Sequence, residues 1–347
     1  MPGVIGDFTH GTAELRPRFR LTMGDYVSAL EIARDGGVCI AGLGDGRLVG
    51  FDLTTGEERF AIAAAHTGSV LDVSISPDGR CFATCGQDEV ARVWSAEGSL
   101  VRELPGGGSA WVEHVAWAPA GGRIATASGK KLCVWMPDGE RIIETEPLAS
   151  TVTALAWRSD GSGLAATCYG GVHILPFVAG AKIRHLAWKG SLISLAWSPD
   201  ANVIACGSQD GSVHFWRLKS GQDSQMSGYP FKPKALAWDS ESKLLATSGD
   251  AAVTVWEFRG KGPEGTQPLQ LEGHQGLCTR LAFSPRRAVL ASGSQDSSVL
   301  LWEPRKHGKP IGFAVLEDEV TGLCWHPEHH TLVGADASGT ICGWDVA

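Results

Sequence analysis

At 347 residues, 43% of them hydrophobic and 20% charged, the chain is long enough for one large domain or two. Its net charge of −8 argues against a broad nucleic-acid surface, where Lys and Arg would dominate, and no apolar run is long enough to span a membrane. Nine Cys with no Cys-x-x-Cys spacing read as reduced, buried thiols, and residues 1–7 lack the basic and apolar segments of a secretory signal, so a cytoplasmic protein is expected.

The first element in chain order is a strand over residues 14–22, where Leu15, Phe19 and Leu21 alternate with Arg16, Arg18 and Arg20. Its charges and Pro17 suit an outer edge that must not recruit another chain. From Tyr26 onward one unit recurs. It opens on apolar stretches at Val27, Val70, Val112, Val152, Leu192, Pro233, Cys278 and Val320. It closes on Phe51, Trp94, Trp135, Leu175, Trp216, Trp256, Trp302 and Trp344, in steps of 43, 41, 40, 41, 40, 46 and 42. The repeats cover residues 26–64, 65–104, 110–146, 150–187, 190–227, 232–271, 276–317 and 318–347 of one domain spanning 1–347. Such a period marks a repeat architecture, because one small unit cannot bury its apolar face alone.

Within each unit the alternation has a period of two, broken by Gly, Pro, Asp and Asn, which is the strand-and-turn signature. In the second unit strands are expected over residues 70–76, 81–85, 90–95 and 100–104. No segment holds a helical period, so the chain reads as all-β, built of four-stranded propeller blades. The eighth unit ends with three residues after Trp344 and lacks a fourth strand, which residues 14–22 supply. An eight-bladed propeller closed by that N-terminal strand is therefore expected, with seven blades as the alternative. The step of 46 comes from residues 258–267, expected to form a flexible loop.

The units resemble WD40 repeats. Ala65-His66 and Gly273-His274 match the Gly-His position, Ser76 to Gly79 reads Ser-Pro-Asp-Gly, and a turn Asp recurs at Asp45, Asp88, Asp210, Asp250, Asp296 and Asp336. Trp-Asp itself survives at Trp344-Asp345, and the fourth unit departs most, with Leu175 in the Trp position and no turn Asp. The resemblance implies two structural tetrads, His66, Thr84, Asp88, Trp94 and His274, Ser292, Asp296, Trp302. In that family a His, a hydroxyl, an Asp and the Trp N–H satisfy one another inside a blade. The chain also looks like a stand-alone eight-repeat member, and its Arg- and Ala-rich composition fits a bacterial origin.

Subtracting the repeat leaves the candidate site. Five Trp (Trp117, Trp157, Trp197, Trp238, Trp325) occupy one first-strand position where blades pack together, and Trp111 and Trp188 are surplus. Both surplus Trp fall in connections from a fourth strand to the next first strand. Tyr229, Phe231 and Lys189 accompany them, and Tyr169 lies in a turn expected on the same face. With His114 beside the expected central channel, these residues form an aromatic partner-binding surface over blades three to six. The other reading of Trp111 and Trp188 is that they plug gaps between blades. The cluster from His326 to His330 reads as a solvated turn rather than a metal site.

No nucleophile elbow, phosphate loop or Cys–His signature appears. The expected function is a non-enzymatic protein-interaction scaffold, a monomeric propeller within a complex, with no cofactor, metal, nucleic acid or membrane partner. One alternative is an enzyme or a small-ligand or metal-binding protein using the channel. The other, from resemblance alone, is an accessory of a metallochaperone GTPase in metal homeostasis.

Overall fold

The computed structural model describes residues 12–107, 110–260, 262–306 and 308–346. Residues 1–11, where the absence of a secretory signal was read, and Lys261 of the long loop lie outside the described residues. Every described element is a strand, and no helix among the described residues is long and apolar enough to cross a membrane. The strands form eight sheets, so eight blades are present rather than seven.

The chain divides into two compact units. The unit Asp25–Leu195 holds four blades. Blade one contains Val27–Ile32, Val38–Leu43, Leu48–Asp52 and Glu58–Ile62, and blade two contains Val70–Ile75, Cys81–Gly86, Val90–Ser95 and Leu100–Pro105. Blade three contains Val112–Trp117, Ile124–Ser128, Lys131–Trp135 and Arg141–Glu144, and blade four contains Ala154–Trp157, Gly163–Pro176 and Arg184–Ser191. The strands expected in the second repeat are all present, within one residue at each end.

The other unit, Met1–Gly24 with Ala196–Ala347, also holds four. Blade five starts at Ala196–Trp197 and ends with Gln222–Met226; blade six runs from Leu236–Trp238 to Leu269–Leu271. Blade seven runs from Cys278–Phe283 to Pro310–Val315, and blade eight has Val320–Trp325, Thr331–Asp336 and Thr340–Asp345. Pro17–Thr22 pairs antiparallel with Thr340–Asp345 and gives blade eight its fourth strand. Phe19 is buried there against Gly343, where a Cβ would stand 2.3 Å from the ring. Arg18 bonds Asp345 at 2.6 Å and Arg20 pairs with Glu317. A further strand, Ala13–Glu14, adds in parallel to the outer strand of blade seven.

Blade four is irregular for a local reason. Gly163–Pro176 is assigned as one strand, yet Phe177 N–H donates to Ser162 O at 2.8 Å, so its two ends meet and it is a hairpin. Gly170 and Gly171, at φ 95° and 135°, make the turn that a Cβ would strain. With no looser connection to spare, the outer strand runs on to Ser191, which pairs with Tyr169.

Within each unit consecutive sheets bury apolar side chains against one another, and the core is a series of such interfaces. Ile40 and Leu48 of blade one meet Val70, Phe82 and Trp94 of blade two, and Leu301 of blade seven meets Leu323 and Trp325 of blade eight. First strands are also stitched by polar bonds. Trp157, Trp238 and Trp325 each donate Nε1–H to a backbone carbonyl of the preceding blade, at Ala116, Ala196 and Ala282. Blade two has Ile75 in place of that Trp, and Glu31 of blade one accepts the Ile75 amide at 3.0 Å instead. Asp72 does the same for Val115 of blade three at 3.2 Å.

Candidate functional site

The two tetrads implied by the WD40 resemblance form from residues brought together by strand register. His66 bonds Asp88 through Nδ1 and Thr84 through Nε2, both at 2.8 Å, and Trp94 Nε1–H donates to Thr84 Oγ1 at 2.9 Å. Arg92 adds a 2.6 Å bond to Asp88. Burial lowers the His66 pKa against the pull of Asp88, so the ring favours its neutral form. In blade seven His274 Nε2 and Trp302 Nε1–H meet on Ser292 Oγ at 2.7 and 2.8 Å. There the carboxylate reaches the imidazole through Ser298, which lies 2.6 Å from His274 Nδ1 and donates to Asp296 at 2.5 Å. Burial works to raise the Asp296 pKa, but the nearby His274 and bonds from Ser298 and the Gln275 amide hold it well below the usual carboxylate range.

Tyr229 belongs to this set of internal networks. Its hydroxyl lies 2.7 Å from Thr247 Oγ1 and accepts the Trp256 indole N–H at 2.7 Å. It takes the place of the tetrad His in blade six. The signal was present in the sequence: Tyr229 precedes Thr247 by 18 residues, as His66 precedes Thr84 and His274 precedes Ser292. The expectation that Tyr229 stands on the surface as an anchor is corrected to that extent. Its ring is half-buried and its hydroxyl is engaged within the blade, because a buried polar group needs a partner.

The remaining residues of the expected surface differ in exposure. In the unit Asp25–Leu195, Trp111 is 49% exposed, on a connection held where Ser128 Oγ–H donates to Ala110 O at 2.9 Å. Tyr169 is 52% exposed, at the hairpin tip of blade four, with its amide donating to Ser150 Oγ at 2.8 Å. Trp188 and Lys189 lie in the outer strand Arg184–Ser191, not in a connection, because the hairpin lets that strand run on. Trp188 is half-buried and Lys189 exposed. His114 sits on the first strand of blade three with its ring largely enclosed. Burial lowers its pKa, and a hydrogen bond to the Thr153 backbone of blade four works the other way.

These positions are linked through the backbone of one unit. A side chain at Gly129 would meet Ala110, Gly129 O accepts the Val152 amide, and Ser150 carries Tyr169. Trp111, Tyr169 and the Trp188 strand are thus carried on adjoining segments. In the other unit Phe231 is 54% exposed. Its amide donates to Gly249 O at 3.0 Å, and Tyr229 and Phe231 press on Gly249 so closely that a Cβ there would lie 2.9 Å from the Tyr229 ring.

Two further expectations change. The loop over residues 258–267, expected to be flexible, makes several tertiary contacts through its described residues. Phe258 is buried in edge contacts with Phe215 and Trp238, and Gly262 and Pro263 are buried. Arg217 bonds Gly262 O and pairs with Glu264 at 3.1 Å. The turn at residues 326–330 is not a solvated one throughout, because His326 is buried and its Nδ1 accepts the amides of Glu328 and His329 at 2.9 Å. Among the described residues no group of three or more His, Cys, Asp or Glu is placed to hold a metal ion.

The inner strands of blades one and two carry a carboxyl pair that the sequence did not single out. Burial, with the Asp72 charge second, pushes Glu31 up to about 8, against the Ile75 amide and Arg34. Burial likewise pushes Asp72 up to about 7, against the Val115 and Val73 amides. Both are protonated in part near neutrality while serving as acceptors between blades.

A family profile described as IFT122 first beta-propeller matches residues 26–264, and one described as WD domain, G-beta repeat matches 265–303 and 313–345. The chain belongs to the WD40-repeat β-propeller family. Its fold class is the eight-bladed, all-β propeller, as expected. It is similar to Protein HIR1 of Cryptococcus neoformans, 24% identical over 307 residues, covering 80% of this chain and 32% of that protein. It is also similar to the ribosome biogenesis protein WDR12 homolog of Chlamydomonas reinhardtii, 29% identical over 329 residues, covering 87% of this chain and 67% of that protein. A WD repeat-containing protein WDS homolog of Arabidopsis thaliana is 26% identical over 262 residues, 71% of this chain and 49% of its own length. The chain thus spans about a third of HIR1 and about half of the WDS homolog. These relatives are fungal, algal and plant, and they lend no support to the bacterial origin expected from composition. A computationally designed protein, Ika8, superimposes with a TM-score of 0.80 at 22% identity over 94% of this chain and 98% of its own, which shows the fold alone.

Proposed function

We propose that the protein is a non-enzymatic interaction scaffold that holds a partner protein against the unit Asp25–Leu195, with Trp111 and Tyr169 as anchors. The observation that carries this is their exposure: two large aromatics, each about half open to solvent, on adjoining backbone segments of a rigid all-β frame. Aromatic side chains lose little rotamer entropy on binding and bury large areas, which makes them efficient anchors. A preformed surface also loses little ordering entropy when the partner arrives. Trp188 and Lys189 extend the surface along the outer strand of blade four, and Phe231 is a separate exposed aromatic on the other unit. His114 and Tyr229 support their blades from within.

One named relative is a WD repeat-containing protein and another carries a role in ribosome biogenesis in its name, which favours work inside a larger assembly. Nine free Cys, most of them buried, favour a reducing compartment such as the cytoplasm. The association with a metallochaperone GTPase draws no support from the named relatives. Affinity capture from the native organism tests the proposal. Trp111→Ala with Tyr169→Ala is expected to lose the partner while its melting temperature stays within about 2 °C of the parent, as for exposed substitutions. Full retention of the partner by the double variant overturns the surface.

A further inference from the structure

Blade four carries two histidines that the networks described above do not use. His173 on Gly163–Pro176 and His185 on Arg184–Ser191 are register partners across the antiparallel pair. Their ring centroids stand 4.5 Å apart, with the planes 23° from parallel. Beyond this stack, neither ring makes a hydrogen bond or an ion pair with any described residue. Other histidines are engaged: His66 and His274 in their tetrads, and His326 by the amides of the turn that follows it.

The backbone beneath the pair is held in place. Val172 and Ile174, which alternate with His173, are buried. Leu175, on the same face as His173, is buried in one cluster with Leu132 and Val134 of blade three. Solvent reaches the rings themselves, because His185 is exposed and His173 half-buried. Two imidazoles on one ion, with metal–nitrogen bonds of about 2.0–2.1 Å, stand with their centroids roughly 4.5–5 Å apart. The observed spacing of 4.5 Å meets that requirement. The planes stack rather than converge, so each ring turns about its Cβ–Cγ bond to aim a nitrogen at a shared ion. That torsion is broad in histidine, and the turn costs little.

We propose that His173 and His185 together chelate a divalent transition-metal ion of the nickel, copper and zinc class. Imidazole nitrogen suits these ions, and the strand register brings the two rings together before the ion arrives. Two protein donors make an open site rather than the closed cage of a structural metal, and water completes the shell. The two strands carry no Asp or Glu, so oxygen-seeking Mg²⁺ and Ca²⁺ find no carboxylate on them. The site uses neither Trp111 nor Tyr169 and stands apart from the scaffold role.

The test uses the whole chain without an affinity tag, and Ni²⁺ as the probe, because imidazole suits that ion and it is paramagnetic. In the NMR spectrum of the parent, substoichiometric Ni²⁺ is expected to broaden the ring signals of His173 and His185 first. Calorimetric titration is expected to give one such site, with Cu²⁺ bound more tightly than Ni²⁺ and Mg²⁺ not bound. His173→Asn or His185→Asn is expected to weaken Ni²⁺ roughly a hundredfold, because the second imidazole binds as an intramolecular ligand. His329→Asn, and Trp111→Ala with Tyr169→Ala, are expected to leave the affinity unchanged. Unchanged affinity in His173→Asn with His185→Asn, first broadening at His329 or His330, or equal binding of Mg²⁺ each overturns the proposal. Failure to bind Ni²⁺ at submillimolar concentration also overturns it and leaves the two rings as packing alone. The broadening needs no variant, so it decides even where a substituted chain fails to fold. A chain that binds no Ni²⁺ yet keeps its partner through Trp111 and Tyr169 defeats this inference and leaves the scaffold role standing.

Discussion

Glu31→Gln removes an ionisable group from between blades one and two while leaving an oxygen to accept the Ile75 amide. Burial and the Asp72 charge raise the Glu31 pKa from 4.5 to about 8, so between those values the folded chain keeps a proton that the unfolded chain releases. Stability therefore falls as pH rises through that window and levels off above it, by about 1.4 kcal/mol for each pH unit. From pH 5 to pH 7.5 the loss from Glu31 is about 3 kcal/mol, and Asp72, raised from 3.8 to about 7, adds a slope of the same sign. For a chain of 347 residues, with an unfolding entropy of about 2.1 cal/mol/K per residue, 3 kcal/mol corresponds to roughly 4 °C in melting temperature. Thermal unfolding of parent and variant at half-unit steps from pH 4.5 to pH 9 measures it. The variant is expected to match the parent near pH 4.5 and to melt progressively higher than it as pH rises. Parallel melting curves across the whole range would refute the carboxyl's role, because a group that carries no shifted proton cannot bend the pH profile.

Two other perturbations probe the fold. Tyr229→Phe leaves the Thr247 hydroxyl and the Trp256 indole N–H without their shared partner, and is expected to cost about 1–3 kcal/mol of stability with no loss of partner capture. Capture lost at unchanged melting would instead return Tyr229 to the surface. Deleting residues 1–23 strips the outer strand from blade eight and is expected to lower the melting temperature sharply; unchanged melting sinks its role in completing that blade.

The strand order, the number of blades and the N-terminal strand of blade eight were legible because each rests on local alternation and on counting. Phe19 alternating with Arg18 and Arg20 is enough to specify an edge strand with one apolar face. What escaped depended on contacts across blades or across turns. Trp188 lies in a strand because two consecutive glycines tighten the hairpin beside it, and no pattern within the strand itself reveals that. The loop after Phe258 looks flexible in composition, yet Phe258 and Arg217 tie it to blade five through partners distant in sequence. Glu31 and Asp72 occupy alternate positions of inner strands like ordinary polar residues, and their role appears only with the neighbouring blade's amides in place. Tyr229, an aromatic in a connection, looks like surplus until its 18-residue spacing to Thr247 is compared with that of His66 to Thr84.

That exchange of an imidazole for a phenol sets different acid limits within one repeat array. In blade two the folded His66 has a pKa lowered by burial, so the unfolded chain takes up protons more readily and the blade weakens as pH falls through the ordinary histidine range. Blade six closes the same kind of network with a hydroxyl, a second hydroxyl and an indole, none of which gains a proton there. Acid therefore costs stability at the His66 network of blade two and leaves the Tyr229 network of blade six without a proton to take up.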